Sequence, residues 1–299
     1  MFCCDPEKVC WDQPLGKGSF GNVYPYRSKK GNDKWVVKVL QTKNVKETIS
    51  CVQEIVLGFS CDHFAILPIK GYFFEPRKPI GCSIYIKMPK MQGDLRKFIK
   101  NITEKHIVLK EEEIVKYLYA LTCGLDYLHN KRIAHRDIKP ENILIDIDGH
   151  LKIADIGGGA LVGEDESSFR VPNEEFGTRL YLPQEVIFAN GQLKLKDMYK
   201  VDAWSLGVVI AELCAAPRVY GNEDQNKVWA KLAKLEGKFS QDLRDILAGL
   251  LTVDRNQRAS IPHVKKALET KFSGILKDFE HSQFHLEIPK VHFLRRFFS

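Results

Sequence analysis

The sequence predicts an α+β fold in two lobes, a small β-rich N-lobe with one main helix and a larger α-helical C-lobe. Three observations predict it. Residues 1–90 are rich in short β-type runs interrupted by a single helical stretch. After Gly93-Asp94-Leu95 the apolar spacing becomes helical. The stretch Trp204–Ala216 is apolar almost all round, as a helix buried inside a core must be. With 299 residues, 44% of them hydrophobic and 28% charged, the chain has ordinary globular composition, which excludes a disordered protein.

In order, the strand-like runs are Gly21–Tyr26, Lys34–Leu40, Ala65–Phe74 and Cys82–Met88, with the helical stretch from about Val45 to Phe59. Glu111-Glu112-Glu113 then place acids in a first helical turn, where the peptide dipoles favour negative charge. Ile114, Leu118, Leu121, Leu125 and Leu128 follow on one face of that helix. The longest apolar run, around Ala203–Ala216, is interrupted by Ser205 and Glu212 and is too short to span a bilayer, so no transmembrane segment is expected. Ala189–Asp197 is expected to be a surface loop.

The net charge of +7 suits a polyanionic ligand such as a nucleotide, yet the chain lacks the concentrated basic runs of a nucleic-acid binder, and no nucleic-acid partner is expected. The eight cysteines are scattered and form no CxxC pair, which argues against zinc and for plain thiols in a reducing compartment. Asp5 and Glu7 near the start, with no apolar segment behind them, predict no secretory leader, and Phe2 excludes N-myristoylation. A cytoplasmic location is expected, with the nucleus left open.

Leu15–Val23 contains G-x-G-x-x-G-x-V. A dinucleotide-binding turn uses similar glycine spacing but requires a helix to follow. Here Val23-Tyr24 continue into a strand, so a glycine hairpin laid over phosphates fits better, since glycines admit backbone N–H groups close to oxyanions. Val36-Val37-Lys38 lies on the next strand and Glu54 on the helix of this lobe, an arrangement in which a Lys–Glu ion pair can aim an ammonium at phosphates. The run from His135 to Leu144 (HRDIKPENIL) is followed by Asp155-Ile156-Gly157. Asp137 and Asn142, five residues apart, together with Asp155 provide one base and two oxygen ligands of the sparse kind that magnesium prefers.

In this order the motifs resemble the eukaryotic protein kinase catalytic domain. The resemblance covers residues 11–268, with the N-lobe at about 11–88, a hinge at 89–91 and the C-lobe at 92–268; a basic, aromatic tail occupies 270–299. It implies the two-lobed protein-kinase fold and a protein serine/threonine kinase that moves the γ-phosphoryl group of ATP, with Mg2+, onto Ser/Thr hydroxyls of protein substrates. By position, the implied nucleotide site comprises Gly16, Lys17, Gly18, Ser19, Phe20, Gly21, Val23, Val36, Lys38, Met88, Lys90, Met91, Asn142, Leu144 and Asp155. The resemblance implies that Lys38, held by Glu54, contacts the α- and β-phosphates. Asp137 accepts the substrate hydroxyl proton, Lys139 steadies the transferring group, and Asn142 and Asp155 hold the metal. Counting back six residues from Asp94 puts Met88 behind the adenine pocket; a slip of one residue puts Lys87 there.

Lys139, two residues after Asp137, together with Thr178 matches the serine/threonine arrangement. Gly177–Glu185 resembles the end of an activation segment, Glu185 is matched to Arg258 as an ion pair, and Asp202 to the acid that supports the catalytic-loop backbone. Glu174 stands three residues before Gly177, where many family members carry a phosphorylated Thr; it either supplies a fixed negative charge for Arg136 or is a solvated loop charge, with Ser167, Ser168 and Thr178 as the candidate phosphosites. Four departures stand out: Ile156 for the usual Phe, Val36 for Ala, Pro183-Gln184 for Ala-Pro, and Gly58 where a large apolar residue is usual. Gly58 is expected to leave the Glu54 helix under-packed. Two rivals remain, a pseudokinase scaffold and a small-molecule kinase of the same fold. The first predicts loss of Lys38, Asp137, Asn142 or Asp155, none of which is lost, and the second lacks a Gly177–Glu185 platform. The tail is expected to dock on the domain, on a regulatory partner, or on an anionic membrane.

Overall fold

Strand β1 (Gly16–Gly18) is followed by β2 (Gly21–Tyr26), which pairs with both β1 and β3 (Trp35–Thr42). These assignments come from a computed structural model that describes residues 5–18, 21–27, 34–77, 81–156, 160–161, 168–169, 179–188, 193–194, 197–215, 219 and 223–279. By its internal contacts the chain divides into two units, Met1–Met91 with Ala154–Gly158, and Gln92–Ile153 with Gly159–Ser299.

In the first unit, helix α1 (Val45–Ser60) connects β3 to β4 (Gly71–Pro76) and β5 (Cys82–Pro89), and the antiparallel sheet runs β1-β2-β3-β5-β4. The period of two along β3 sorts its residues. Val37 and Val39 pack with Val9, Tyr26 and Tyr85 on one face, leaving Val36, Lys38 and Leu40 to the other. Asn44 caps α1 by accepting the Glu47 N–H at 2.9 Å, while Glu47 accepts the N–H of the preceding Lys43 at 2.7 Å, and the two bonds together fix where the helix starts. One correction concerns Ala65–Phe74: the strand begins only at Gly71. The Ile66 N–H closes a turn onto His63 O at 3.0 Å, and Pro68 has no N–H for a ladder, so Ala65, Ile66 and Leu67 fill the core from a loop.

The second unit begins with β6 (Gly93–Asp94), α2 (Leu95–Glu104) and α3 (Glu111–Asn130). Short strands follow: β7 (Ile133–Ala134), β8 (Ile143–Ile145), β9 (Leu151–Ile153), β10 (Ala160–Leu161) and β11 (Ser168–Phe169). After these, the described residues carry β12 (Leu193–Lys194) and the helices α4 (Gln184–Ile187), α5 (Met198–Leu213), α6 (Gln225–Leu232), α7 (Gln241–Leu250), α8 (Ile261–Lys271) and α9 (Ser273–Leu276). The predicted α3 face is the core of this unit, with Ile114, Leu118, Leu121, Leu125 and Leu128 each 0% exposed. Helix α5 is buried on every side, as its all-round apolar sequence requires.

Of the tail, Thr270–Phe279 is described: Phe272 and Leu276 are buried, and Phe279 stacks edge-on against Tyr119 of α3 at 4.5 Å. Residues 280–299 lie outside the described residues, as does most of the 189–197 insertion. Among the described residues no helix is long and apolar enough to cross a membrane, and Cys10, Cys51, Cys61, Cys82, Cys123 and Cys214 are free thiols.

Candidate active site

Among the described residues, the side chains singled out by the motifs gather in two clusters, one in each unit. In the first unit, Lys38 and Glu54 meet because β3 and α1 pack together. The Lys38 Nζ lies 2.9 Å from Glu54 Oε1 and 2.9 Å from Asp155 Oδ1. One ammonium thus serves two carboxylates in a largely buried setting, which leaves the trio with a net negative charge. Burial alone would lower the Lys38 pKa, but the fields of Glu54 and Asp155 outweigh it and hold the ammonium above its ordinary value. Burial pushes the Glu54 carboxyl up; Lys38 opposes that and Asp155 adds to it.

The neighbours of Lys38 are set by sheet register. Val23 lies opposite Lys38, and Val36 lies opposite Met88. Met88 therefore shares the Val36–Lys38 face, while Lys87 sits one residue out of step and places its ammonium over the rings of Tyr26 and Trp35 at 4.5 and 5.0 Å. The Lys90 N–H donates to Lys34 O at 2.9 Å, and Met91 ends the longer of the two stretches that make up this unit.

The glycines of the β1–β2 hairpin have different reasons to be there. Gly18 pairs with Gly21. Gly21 has φ +150°, and a Cβ there would lie 2.3 Å from the Val39 carbonyl oxygen, so only glycine fits against β3. Gly16 meets nothing within 4 Å, which leaves open space beside its backbone. Ser19, Phe20 and the Lys17 side chain lie outside the described residues.

Gly58 is the second correction. A Cβ at this position would lie 2.3 Å from Ile69 Cδ1 and 2.8 Å from Ile69 Cγ1. The place a larger residue would occupy is filled from the loop before β4, so α1 is not short of packing there. Ile156, which replaces the usual Phe, is buried.

In the second unit the catalytic-loop candidates gather around Asp137. Its Oδ2 accepts from Lys139 Nζ at 2.6 Å and from Asn142 Nδ2 at 2.9 Å, and the Asn142 amide also donates to Asp137 O at 2.8 Å. Leu144 follows on β8. The backbone just before Asp137 is anchored by Asp202 on α5, which accepts the His135 N–H at 2.9 Å and the Arg136 N–H at 2.7 Å. Arg136 has φ +68°, a left-handed conformation that costs a non-glycine residue about 1–2 kcal/mol. Bonds from a fully buried carboxylate are what holds it there. His129 completes the anchor, its Nε2 lying 2.8 Å from Asp202 Oδ2. Sequence reading did not find His129, because the last turn of an amphipathic helix carries no signal for a partner 73 residues away.

Farther along, Arg258 holds Glu185 with both ends of its guanidinium, at 2.7 and 3.2 Å, and stacks over Trp204 at 5.0 Å. Gly157, Glu174, Gly177 and Thr178 lie outside the described residues.

The protein kinase domain family matches residues 11–272 of the chain. An Aurora kinase of Patiria pectinifera is 33% identical over 259 residues, 84% of this chain and 60% of that protein. The Aurora/IPL1-related protein kinase 2 of Caenorhabditis elegans is 30% identical over 261 residues, 85% of this chain and 80% of the relative. A serine/threonine-protein kinase 10 of Xenopus tropicalis is 28% identical over 282 residues, but the match spans only 28% of its length. Fold, motif order and these likenesses agree: the chain belongs to the protein kinase family, as a serine/threonine-type catalytic domain.

Proposed function

We propose that the chain transfers the γ-phosphoryl group of ATP to Ser and Thr hydroxyls of protein substrates, with Asp137 as the base that accepts the hydroxyl proton. The observation that supports this best is the Asp137 cluster. A carboxylate is oriented by Lys139 and Asn142, on a loop whose backbone is tied to Asp202. Such prior orientation is what phosphoryl transfer asks of a protein, because the reaction depends on positioning and charge neutralisation.

On this reading Lys38, steadied by Glu54, meets the phosphates, and Gly16, Lys17, Gly18, Ser19, Phe20 and Gly21 cover them. Val23, Val36, Met88, Lys90, Met91 and Leu144 take the nucleoside. Asn142 and Asp155 fit Mg2+ in chemistry: both offer hard oxygen donors, and each is already oriented, Asn142 by its amide bonds to Asp137 and Asp155 by Lys38. Bound magnesium would neutralise phosphate charge. We read residues 11–88 as the nucleotide-binding lobe, 89–91 as the hinge, 92–268 as the substrate lobe, and 270–299 as a tail that docks on its own domain, with Phe272, Leu276 and Phe279 already packed there, or on a regulatory partner. The mild basic charge without basic runs supports protein substrates over nucleic acid, and the free thiols among the described residues fit the cytoplasm or nucleus.

A mixed Ser/Thr/Tyr peptide library with labelled ATP and Mg2+ tests this. Label is expected on Ser and Thr, and Asp137→Asn is expected to lower turnover by about 10²–10⁴-fold, the usual contribution of a positioned base. No labelled peptide, label confined to Tyr, or wild-type turnover in Asp137→Asn would refute the reading.

A further inference from the structure

Arg96, in the first turn of α2, joins three segments that are remote from it in sequence. Its Nε donates to Glu141 Oε1 at 2.9 Å, its Nη1 to Glu212 Oε2 at 3.1 Å, and its Nη2 to the Tyr181 hydroxyl. The Tyr181 hydroxyl in turn lies 3.3 and 3.2 Å from the two oxygens of Glu212, and the guanidinium carbon lies 5.8 Å from the Tyr181 ring centre. Glu141 sits between Lys139 and Asn142 in the 3-10 turn Pro140–Asn142 of the catalytic loop. Tyr181 ends the 3-10 turn Arg179–Tyr181, three residues after Thr178. Glu212 projects from α5, its side chain 8% exposed.

The geometry is particular to arginine. A guanidinium presents its donors in a rigid planar fork, so one side chain can bond three acceptors lying in different directions, which a lysine point charge cannot do. The cluster also has a layered cost. Glu212 is a nearly buried carboxylate, and burying a charge is tolerated when it is paired and hydrogen-bonded. Its position is thus fixed by α5, and Arg96 carries that fixed position outward to the catalytic loop through Glu141. The Tyr181 hydroxyl, bonded to both Arg96 and Glu212, links the segment that follows Thr178 to the same anchor.

We propose that Arg96 is a positioning residue for the peptide substrate: its guanidinium holds the catalytic-loop turn and the Arg179–Tyr181 turn in one fixed relation, so that a bound peptide meets Asp137 in reacting geometry. Arg96 is not among the residues assigned to the nucleotide, and it acts through Tyr181 and Glu141. The inference rests on the peptide-kinase reading above.

The test is steady-state kinetics of the full chain with the best-labelled library peptide, varying peptide and ATP separately. Arg96→Gln is expected to raise the peptide KM about tenfold while the ATP KM stays within about twofold, as loss of charge-assisted bonds worth about one decade predicts. Tyr181→Phe, which leaves the Arg96–Glu212 ion pair intact, is expected to raise the peptide KM as well. The double variant is expected to be no worse than Arg96→Gln alone, because both act through one linkage. Arg96→Lys is expected to retain most of the defect. A merely structural role would lower the active fraction, and hence kcat, while leaving both KM values alone. That pattern, an equal rise in ATP KM, additive single effects, or full rescue by Arg96→Lys would overturn the proposal. Should Arg96→Gln fail to fold, Tyr181→Phe decides alone by the same split. A wild-type chain that labels no peptide would overturn the kinase reading together with this inference, whereas a labelled peptide with an unchanged KM in both variants would overturn this inference only.

Discussion

Gly58 and Ile69 compete for one volume, and the competition has a sign that can be measured. Replacing an interior helical glycine by alanine ordinarily stabilises by about 1 kcal/mol, through lower backbone entropy in the unfolded chain. Here the new Cβ would sit 2.3 Å from Ile69 Cδ1 and 2.8 Å from Cγ1, while Ile69 Cβ stays at 3.7 Å, an ordinary contact. Ile69 must leave its rotamer or push α1 away, and overpacking of this kind costs about 1–3 kcal/mol. Gly58→Ala is therefore expected to be neutral to destabilising by about 2 kcal/mol in the native background. Ile69→Ala removes both offending atoms and keeps the Cβ. In that background Gly58→Ala should recover its helical advantage and stabilise by about 1 kcal/mol. The two backgrounds thus differ by about 2 kcal/mol, a coupling well above the few tenths expected of independent sites. Urea titration of the four proteins, read at constant slope, gives the cycle. Because Glu54 lies one turn before Gly58 on α1, the ATP KM of Gly58→Ala should rise in the native background and relax in the double variant. Equal stabilisation by Gly58→Ala in both backgrounds would refute the reasoning, since it would mean that Ile69 does not fill the space.

Asp202→Ala leaves the His135 and Arg136 N–H groups without their acceptor in a fully buried site. At about 1–3 kcal/mol for each orphaned group, a loss of at least 2 kcal/mol is expected in urea titration, and a variant as stable as wild type would contradict it. Arg258→Ala strands Glu185 and empties the space over Trp204; about 3–5 kcal/mol should be lost, with Arg258→Lys recovering little because the two-ended contact needs the fork. Truncation after Lys271 removes the buried Phe272 and Leu276 and the Phe279–Tyr119 stack. That should cost about 3–6 kcal/mol at about 1.5–3 kcal/mol per side chain, whereas an unchanged thermal midpoint would show that these residues are not part of the domain's core.

What could be read before the structure was whatever chemistry or packing demands of residues close together in sequence. Asp137, Lys139 and Asn142 fall within six residues, and the loop that carries them brings their side chains into contact. The α3 face was legible because a helical period repeats locally, and burial of one stripe follows from it. Lys38 and Glu54 are farther apart, but each stands on an element whose type was itself readable, so their meeting needed only that β3 and α1 pack. The failures share the opposite property. Ala65–Leu67 look like a strand because they are apolar, and burial of an apolar run does not reveal whether a ladder partner exists. Gly58 looked like a defect because helix propensity is counted on one element, whereas Ile69 reaches it from another. His129 and Arg96 carry no local signal, since their partners lie 73 and 45–116 residues away and are fixed by the order in which helices stack. The distinction has a consequence for function. Groups that touch reactants are clustered by the chemistry and show in sequence, while the residues that hold those groups still are distributed by topology. In this chain the second class comprises Asp202, His129, Arg96, Tyr181 and Glu212, which tie the catalytic loop and the Arg179–Tyr181 turn to α5, His129 acting through Asp202. Two of the five, Asp202 and Glu212, stand on α5, the helix buried on every side. A carboxylate on such a helix cannot move without unpacking the core, and that immobility is what lets α5 serve as the fixed reference for the catalytic loop and for the segment after Thr178.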